Sequence, residues 1–565
     1  MPHPSFRPLL ILIAFISLVS LPTSTFASAQ DDPQAPLVVD IQYTDLDDLT
    51  FFAARFDVWE VDRKLSTLKA MITQVDYQQL IAAGYHIEID LPNTALVNTP
   101  LKSLPGQRAG ISGYPCYRTV EETYASAESI AASHPELATW SSIGESWEKG
   151  NLGGAEGYDL MVLKLTNSAT AGDKPKIFIM SALHARELAT AELNTRFAEY
   201  LVDNYGVNAD VTWLLDYHEI HLLLQANPDG RKHAEGGSLW RKNTNEAYCS
   251  STPDDRGADL NRNFPFKWGG LGASSNECDE TYSGPIALSE PESSSISDYV
   301  IAQFLDQRGD DDNGPAPDDA TGIFIDLHSF GGLVLWPYGF DTTSTAPEPN
   351  KTQLQTLGRK LAFFNAYSPD QANVGSYPAS GASDDFAYGT LGIAAYTFEL
   401  GGNAFFQDCL TFTDTILPDN LNALIYAAKV ARTPYMTPSG PDAIDLAVSP
   451  YQVAFNHQFT FSATIDDQRY QNSYGPEPTQ IIAAAEYSID QPLWEAGVTS
   501  FPLLPIDGVF NEKEEAVSAS VSTLGLSPGQ HILFVHGQDA DGNWGAVSAI
   551  FFRVDYAVYF PLAMH

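Results

Sequence analysis

The sequence predicts a central α/β domain whose sheet is covered by helices on both faces, preceded by a small α+β unit and followed by a β-sandwich. Between residues 113 and 436, short apolar runs alternate with segments of helical spacing, a pattern typical of buried sheets. After Thr437-Pro438-Ser439-Gly440-Pro441, alternating segments are separated by Pro-Gly and Asp-Gly turns, which indicates a β-sandwich over residues 437–565. A length of 565 residues fits several domains of roughly 100 to 200 residues each.

Residues 1–29 have the pattern of a secretory signal peptide. Arg7 precedes the apolar run Leu9 to Val19, and Ala27-Ser28-Ala29 supplies a cleavage site before Gln30. The run is well short of the roughly 20 residues that a bilayer requires. We therefore expect a secreted, extracellular protein without a transmembrane anchor, in a compartment where its four cysteines pair.

Residues 30–112 predict a small α+β domain and a linker. The predicted strands and helices are Val38 to Tyr43, Leu46 to Phe56, Val58 to Glu60, Leu65 to Ile72, Asp76 to Ala83 and Tyr85 to Asp90. The stretch from Leu101 to Tyr114 contains Pro105-Gly106, Gly110 and Arg108, features of a linker that a protease can enter. Two alternatives follow: a removable pro-segment of a zymogen that covers a cleft, or a permanent accessory domain.

Four apolar runs in the central domain predict buried strands: Lys176 to Met180, His221 to Gln225, Gly322 to Leu327 and Ile393 to Phe398. Ala189 to Asn204 and Lys351 to Ala366 predict helices between them. Three of the strands lead into His184, His328 and Glu399. Because ligand sites in α/β sheets lie beyond the carboxyl ends of the strands, we expect these three residues to meet.

A metal site is the expected role of the two histidines. His184 is followed three positions later by Glu187, and an isolated pair of this kind is more often structural than functional. With His328 the pair forms a His₂Glu set, which catalytic zinc sites use while leaving a position for water. Calcium and magnesium prefer oxygen ligands, so the donors favour one zinc ion.

The acidic composition excludes some classes of function. There are 71 acidic and 30 basic side chains, a net charge of −41, which argues against nucleic-acid binding. The run Asp310-Asp311-Asp312-Asn313 resembles a calcium loop, but Gly309 stands where such a loop needs an acidic residue. We interpret the run as a solvated insertion, with a surface calcium site as the alternative.

Six motifs resemble, in family order, the zinc metallocarboxypeptidases of the carboxypeptidase A/B type (M14 peptidases), especially secreted bacterial members. They are HARE (184–187), LWRKN (239–243), GADLNRNF (257–264), HSFGGLVLWPYG (328–339), YPASGASDDFAYG (377–389) and YTFEL (396–400). The resemblance spans most of residues 113–410. It implies a mixed eight-stranded sheet flanked by helices, and hydrolysis of the C-terminal peptide bond of peptides or proteins.

The resemblance also implies residue roles. His184, Glu187 and His328 bind zinc, Glu399 is the general base and acid, and Arg241 stabilises the oxyanion. Such roles are chemically sound, because zinc lowers the pKa of its water and a nearby carboxylate takes the proton. The residues implied for substrate binding are Asn261, Arg262 and Tyr377, which hold the terminal carboxylate, and Arg186 in the groove.

The pocket residue implied by the resemblance lies seven positions after Tyr377, and it is Asp384. A carboxylate at the base of a closed pocket favours C-terminal Lys or Arg. The alternative is that Asp384 points away and the pocket has mixed specificity, since Asp385 beside it matches an aspartate found in both types.

Cys249 and Cys278 resemble a disulfide of animal family members, which leaves Cys116 and Cys409 to pair with each other. The C-terminal domain has no catalytic motif, and we expect it either to contact a surface or polymer or to stabilise the central domain. The apolar segment Val558 to His565 has no assigned role beyond a final strand.

Three functions stay open at this point. The first is a secreted zinc carboxypeptidase acting on peptide or protein C-termini. The second is a peptidoglycan stem-peptide carboxypeptidase, and the third is a non-catalytic peptide- or surface-binding protein that kept the fold.

Overall fold

The computed structural model describes residues 35–151, 157–250, 252, 255–309, 314–402 and 404–555. The predicted signal peptide, the acidic run 310–313 and the segment 558–565 lie outside these ranges. Within them, no helix combines the length and the apolar character needed to cross a membrane.

The N-terminal unit is an antiparallel four-stranded sheet, in the order β2-β3-β1-β4, with one helix between β1 and β2 and another between β3 and β4. Its elements are β1 (Pro36–Gln42), α1 (Leu46–Arg55), β2 (Asp57–Asp62), β3 (Thr67–Thr73), α2 (Gln74–Ala83), β4 (Ile87–Ile89) and α3 (Leu91–Val97). Helix α1 begins where the Asp45 side chain accepts the backbone N–H groups of Asp47 and Asp48. Helix α2 ends at Gly84, whose φ of 97° is the left-handed conformation that glycine adopts without strain.

The central domain contains a mixed eight-stranded sheet, in the order β11-β10-β12-β9-β7-β8-β6-β5, as the family resemblance implied. The strands are β5 (Ala138–Glu145), β6 (Asp159–Leu165), β7 (Lys176–Ser181), β8 (Glu219–Leu223), β9 (Ile323–Ser329), β10 (Leu333–Trp336), β11 (Ser368–Gln371) and β12 (Ala394–Leu400). Strands β12, β9, β7 and β8 run parallel at its centre. Their continuous apolar sequences are buried on both faces, which accounts for the absence of alternation.

Helices cover both faces of this sheet. They are α4 (Val120–Ser133), α5 (Trp147–Asn151), α6 (Leu188–Asn204), α7 (Ala209–Tyr217), α8 (Pro228–Glu235), α9 (Pro291–Gln303), α10 (Asn350–Asn365), α11 (Ala372–Gly375), α12 (Ser383–Leu391), α13 (Cys409–Thr411) and α14 (Leu417–Val430). Helix α4 begins with a capping box between Thr119 and Glu122. The long connections between strands carry most of the polar residues described below.

The C-terminal domain contains two further sheets, in the orders β13-β15-β19-β18 and β14-β21-β20-β16-β17. Their strands are β13 (Asp442–Ser449), β14 (Gln452–Ala454), β15 (Gln458–Asp466), β16 (Ile482–Ile489), β17 (Phe501–Pro502), β18 (Leu504–Pro505), β19 (Glu514–Ser522), β20 (Gly529–Asp539) and β21 (Ser548–Asp555). The inward positions of these alternating strands form one apolar cluster, including Phe461, Val517 and Leu533.

The C-terminal domain shares buried contacts with the central domain. Phe534 and Val547 belong to the same apolar core as the central sheet. Lys360 of α10 forms a buried ion pair with Asp442 at 3.0 Å. The two domains are therefore packed through an apolar and ionic interface, and not joined by a linker alone.

Two disulfides are present, as predicted. Cys116–Cys409 joins the start of the central domain to α13, and Cys249–Cys278 closes a loop around a short 3₁₀ helix, Leu260–Arg262. The described cysteines include no free thiol. The second bridge restrains the loop that carries Asn261 and Arg262.

Candidate active site

Three strands bring the predicted metal and catalytic residues to one edge of the sheet. His184 follows β7, while His328 and Glu399 lie directly opposite each other in the parallel pair β9 and β12. All the catalytic, metal-binding and substrate-binding residues that the sequence predicted line one cavity of about 230 Å³. The expected convergence at the carboxyl ends of the strands is therefore observed.

The three predicted metal ligands face one another. Potential ligand atoms of His184, Glu187 and His328 lie within 4.8 Å of one another, and all three residues are buried. The Nδ1 atom of His184 is 2.8 Å from Glu187 Oε1, and Nδ1 of His328 is 3.0 Å from Glu187 Oε2. The turn after β7 makes this possible, because it aims an imidazole and a carboxylate three residues apart at the same point.

The hydrogen bonds behind these ligands support a cation at their centre. Nε2 of His184 lies 3.1 Å from Asp259 Oδ1, and Nε2 of His328 lies 2.9 Å from Asp326 Oδ2. A carboxylate at Nε2 places the ring proton there, so each Nδ1 presents a lone pair to the centre. The two Nδ1 atoms are 3.1 Å apart beside a carboxylate, and their lone pairs repel one another unless a proton or a metal cation lies between them. The donors, two imidazoles and one carboxylate, fit zinc.

Asp259 connects the metal site to Arg241. It accepts hydrogen bonds from the Arg241 side chain at 2.8 and 3.1 Å. Burial opposes the charge on the arginine, but Asp259 outweighs it and raises the pKa of Arg241. Arg241 is thus a fixed positive charge on the cavity wall.

Glu399 is a carboxyl group whose surroundings disfavour its charge. Burial is the largest influence and raises the pKa of Glu399 to about 8, while the nearby His328 acts in the opposite direction. A carboxyl that changes protonation near neutral pH is suited to taking and returning a proton.

Arg262 is a buried cation whose side chain is incompletely paired. Its Nε donates to Gly272 O and its Nη1 to Asn261 O, each at 2.8 Å. Its Nη2 has no hydrogen-bond partner among the described residues. The Tyr377 ring lies 5.9 Å from the guanidinium. A buried N–H without a partner costs free energy unless a ligand accepts from it, and a carboxylate is the acceptor that matches a guanidinium best.

Asp384 and Asp385 begin helix α12, and the structure separates their surroundings. Asp384 lines the cavity and is only 4% exposed. Burial raises the pKa of Asp384 to about 6. Asp385 instead accepts the backbone N–H of Gly339 at 3.0 Å. Of the two carboxyls, Asp384 is therefore the one that lines the cavity.

The N-terminal unit lies across the cavity. Strand β2 supplies lining residues, including Trp59, whose ring packs edge-to-face against Phe330 and Phe405. Asp57 accepts two hydrogen bonds from Arg186, at 2.6 and 2.5 Å, and one from Trp59 Nε1 at 2.8 Å. Arg186, predicted for the groove, therefore lies there with its guanidinium already paired.

The residues that support the site were not among those predicted from the sequence. Asp326 is two residues before His328, a spacing that puts both on one face of β9, and this signal was available in the sequence. Asp259 lies inside the GADLNRNF motif but contacts His184 only through the fold. No local signal marks Asp57, because its partner Arg186 is 129 residues away.

The sequence model of the family described as zinc carboxypeptidase matches residues 123–421. Carboxypeptidase A1 of Bos taurus is 32% identical over 297 residues, which cover 51% of this chain and 63% of that protein. Carboxypeptidase A4 of Mus musculus is 33% identical over 311 residues, with 53% and 66% covered. The chain thus spans less than two thirds of the length of these curated relatives.

Two solved structures share the fold. Carboxypeptidase A from Helicoverpa armigera has a TM-score of 0.55 at 24% identity, covering 71% of this chain and 98% of that one. Thrombin activatable fibrinolysis inhibitor has a TM-score of 0.54 at 22% identity, covering 70% and 99%.

Proposed function

Because the chain belongs to the zinc carboxypeptidase family, we propose that it is a secreted zinc-dependent exopeptidase that removes the C-terminal residue of peptides and proteins. The observation that carries the proposal is that one cavity contains both the His₂Glu set and the Nη2 atom of Arg262, which has no hydrogen-bond partner among the described residues. The first suits a hydrolytic zinc ion, and the second suits a carboxylate such as the one at the C-terminus of a peptide.

In the proposed reaction, His184, Glu187 and His328 would hold a zinc ion, which would supply Lewis acidity and lower the pKa of water. Glu399 takes the proton of the attacking water and returns it to the departing amine. Arg241 donates to the carbonyl oxygen as negative charge develops there, and removing such a donor typically costs about 3 to 4 kcal/mol of transition-state stabilisation.

The terminal carboxylate is held, in this proposal, by Asn261 and Arg262, and Tyr377 closes over it. A C-terminal Lys or Arg side chain is then preferred, because its charge pairs with Asp384. The burial of Asp384 supports this preference, since a buried carboxyl disfavours its charge until a cation pairs with it.

We further propose that the N-terminal domain is an inhibitory pro-segment. The contacts that support this are those of β2 with the cavity and the pairing of Asp57 with Arg186. Arg63 also donates to the carbonyl oxygens of Asn373 and Ser376, next to Tyr377. Cleavage in the linker at Arg108, an exposed residue, would allow this domain to leave.

The test is release of C-terminal amino acids from a defined peptide. The zinc-loaded chain, before and after limited trypsin treatment, is expected to release them, and a chelator to stop release until zinc is restored. Glu399→Gln removes the proton acceptor while keeping the size, so it should lower kcat by at least about 10²-fold. Glu495→Gln, an exposed position of the C-terminal domain, is the matched control. Release that resists the chelator would contradict the zinc assignment.

A further inference from the structure

The cavity of the proposed active site is lined by the central domain, by β2 of the N-terminal unit and also by the C-terminal domain. Tyr474, on the loop between β15 and β16 of the C-terminal domain, lines the same cavity as His184 and Glu399. Its side chain is large, and the residue is 50% exposed. An aromatic ring that borders a cavity without being buried is available to a ligand.

The loop that carries Tyr474 is held firmly against helix α10. Glu477 forms a buried ion pair with Arg359 at 2.6 Å and accepts a hydrogen bond from Thr356. Arg359 also donates to the carbonyl oxygen of Tyr474 at 3.3 Å, and its own carbonyl accepts the backbone N–H of Gln471 at 3.0 Å. Backbone and Glu477 contacts therefore position the loop.

Arg359 also places the loop next to a defined part of the cavity. Burial raises the pKa of Asp370 of β11, and the charge of Arg359 acts against this rise. Asp370 pairs with Leu335 in the parallel register of β10 and β11. Leu335 lines the cavity together with Gly375, which is two residues before Tyr377. Tyr474 borders this same cavity.

The depth of the cavity indicates which part of a peptide Tyr474 meets. Asp384 is 4% exposed, whereas Tyr474 is 50% exposed, so Asp384 lies deep and Tyr474 at the mouth. A terminal side chain that occupies the deep pocket leaves the preceding residues at the mouth. Those residues are the ones within reach of the Tyr474 ring.

We infer that the C-terminal domain completes the substrate cleft, with Tyr474 forming a subsite for an aromatic or large apolar side chain that precedes the C-terminal residue. The inference rests on the proposed exopeptidase function and assigns a substrate-binding role to a domain without a catalytic motif. The phenol ring offers a flat apolar face, against which another aromatic side chain packs favourably.

The experiment uses the full-length, zinc-loaded chain, before and after limited trypsin treatment, and two acetylated tetrapeptides. Both end in the residue that the wild type releases fastest, and they differ only in having Phe or Gly before it. Tyr474→Ala should lower kcat/KM for the Phe peptide about threefold to tenfold, through KM, and change the Gly peptide less than about twofold. Tyr474→Phe should keep the wild-type values.

The control is Tyr451→Ala, because Tyr451 belongs to the same domain, is 48% exposed and is not among the residues that line the cavity. Unchanged kinetics of Tyr474→Ala, or an equal loss for both peptides, would overturn the subsite. If the wild type hydrolyses neither peptide, the exopeptidase function itself is wrong, and the subsite assigned to Tyr474 is wrong with it.

Discussion

Replacing Asp57 by Ala tests whether the N-terminal domain inhibits the enzyme. The Asp57 carboxylate accepts three hydrogen bonds, two from Arg186 and one from Trp59, at 2.5 to 2.8 Å. Burial alone would raise the pKa of Asp57, but the charges of Arg186 and Arg241 outweigh it and lower the pKa. The ion pair is therefore intact at neutral pH, and only acidification below about pH 4 protonates the carboxyl and weakens it.

The expected magnitude follows from what the substitution leaves behind. Arg186 is fully buried and would keep its charge without a carboxylate to balance it. Removing one member of a buried ion pair typically costs about 3 to 5 kcal/mol. At 1.36 kcal/mol per factor of ten, this weakens docking of the N-terminal domain by roughly 10²- to 10³-fold or more.

The assay compares the uncleaved chain with the same chain after trypsin treatment, using one peptide substrate. Wild type should gain activity strongly on cleavage, whereas Asp57→Ala should be active before cleavage and gain little. Asp47→Ala, at an exposed position of α1, is the matched control and should behave as wild type. If uncleaved Asp57→Ala is as inactive as the uncleaved wild type while both are equally active after cleavage, Asp57 does not hold the N-terminal domain on the cavity.

Three further predictions address specificity and stability. In steady-state kinetics, Asp384→Ala should lower kcat/KM by at least about tenfold for peptides ending in Arg or Lys, and leave kcat/KM unchanged for peptides ending in Leu. An equal loss of kcat/KM for both kinds of peptide would argue against charge pairing between Asp384 and the terminal side chain. Replacing Cys249 and Cys278 together by Ser should cost about 3 to 4 kcal/mol of unfolding free energy in the chain-entropy model, measured in denaturant, and raise KM because the loop holds Arg262. Burial raises the pKa of Asp467 to about 7, so the stability it contributes is complete below about pH 4 and is lost as pH rises through 7. Asp467→Asn keeps the acceptor for Gln480 N but does not titrate. Between pH 5 and 8 the variant should therefore lose less stability than the wild type, by on the order of 1 to 2 kcal/mol, seen as a smaller fall in melting temperature. Parallel curves of melting temperature against pH for the two proteins would count against this assignment.

The strands of the central sheet could be predicted because a strand that is buried on both faces carries a run of apolar residues, which is visible in the local sequence. Residues 177–180 and 323–325 are consecutive apolar residues, and a strand buried on both faces needs such a run. The short motifs after these strands predicted the metal ligands, since zinc accepts only certain donors and the strand ends set their position.

The sequence by itself determined the donor set, the charge of Arg262 and the presence of Asp384, because these depend on side-chain chemistry within recognisable motifs. Only the tertiary structure decided that Asp57 forms an ion pair with Arg186, that Asp259 contacts both His184 and Arg241, and that Tyr474 borders the cavity. The physical reason is distance along the chain. Contacts between residues tens to hundreds of positions apart depend on how whole domains pack, and no local periodicity or spacing encodes that packing.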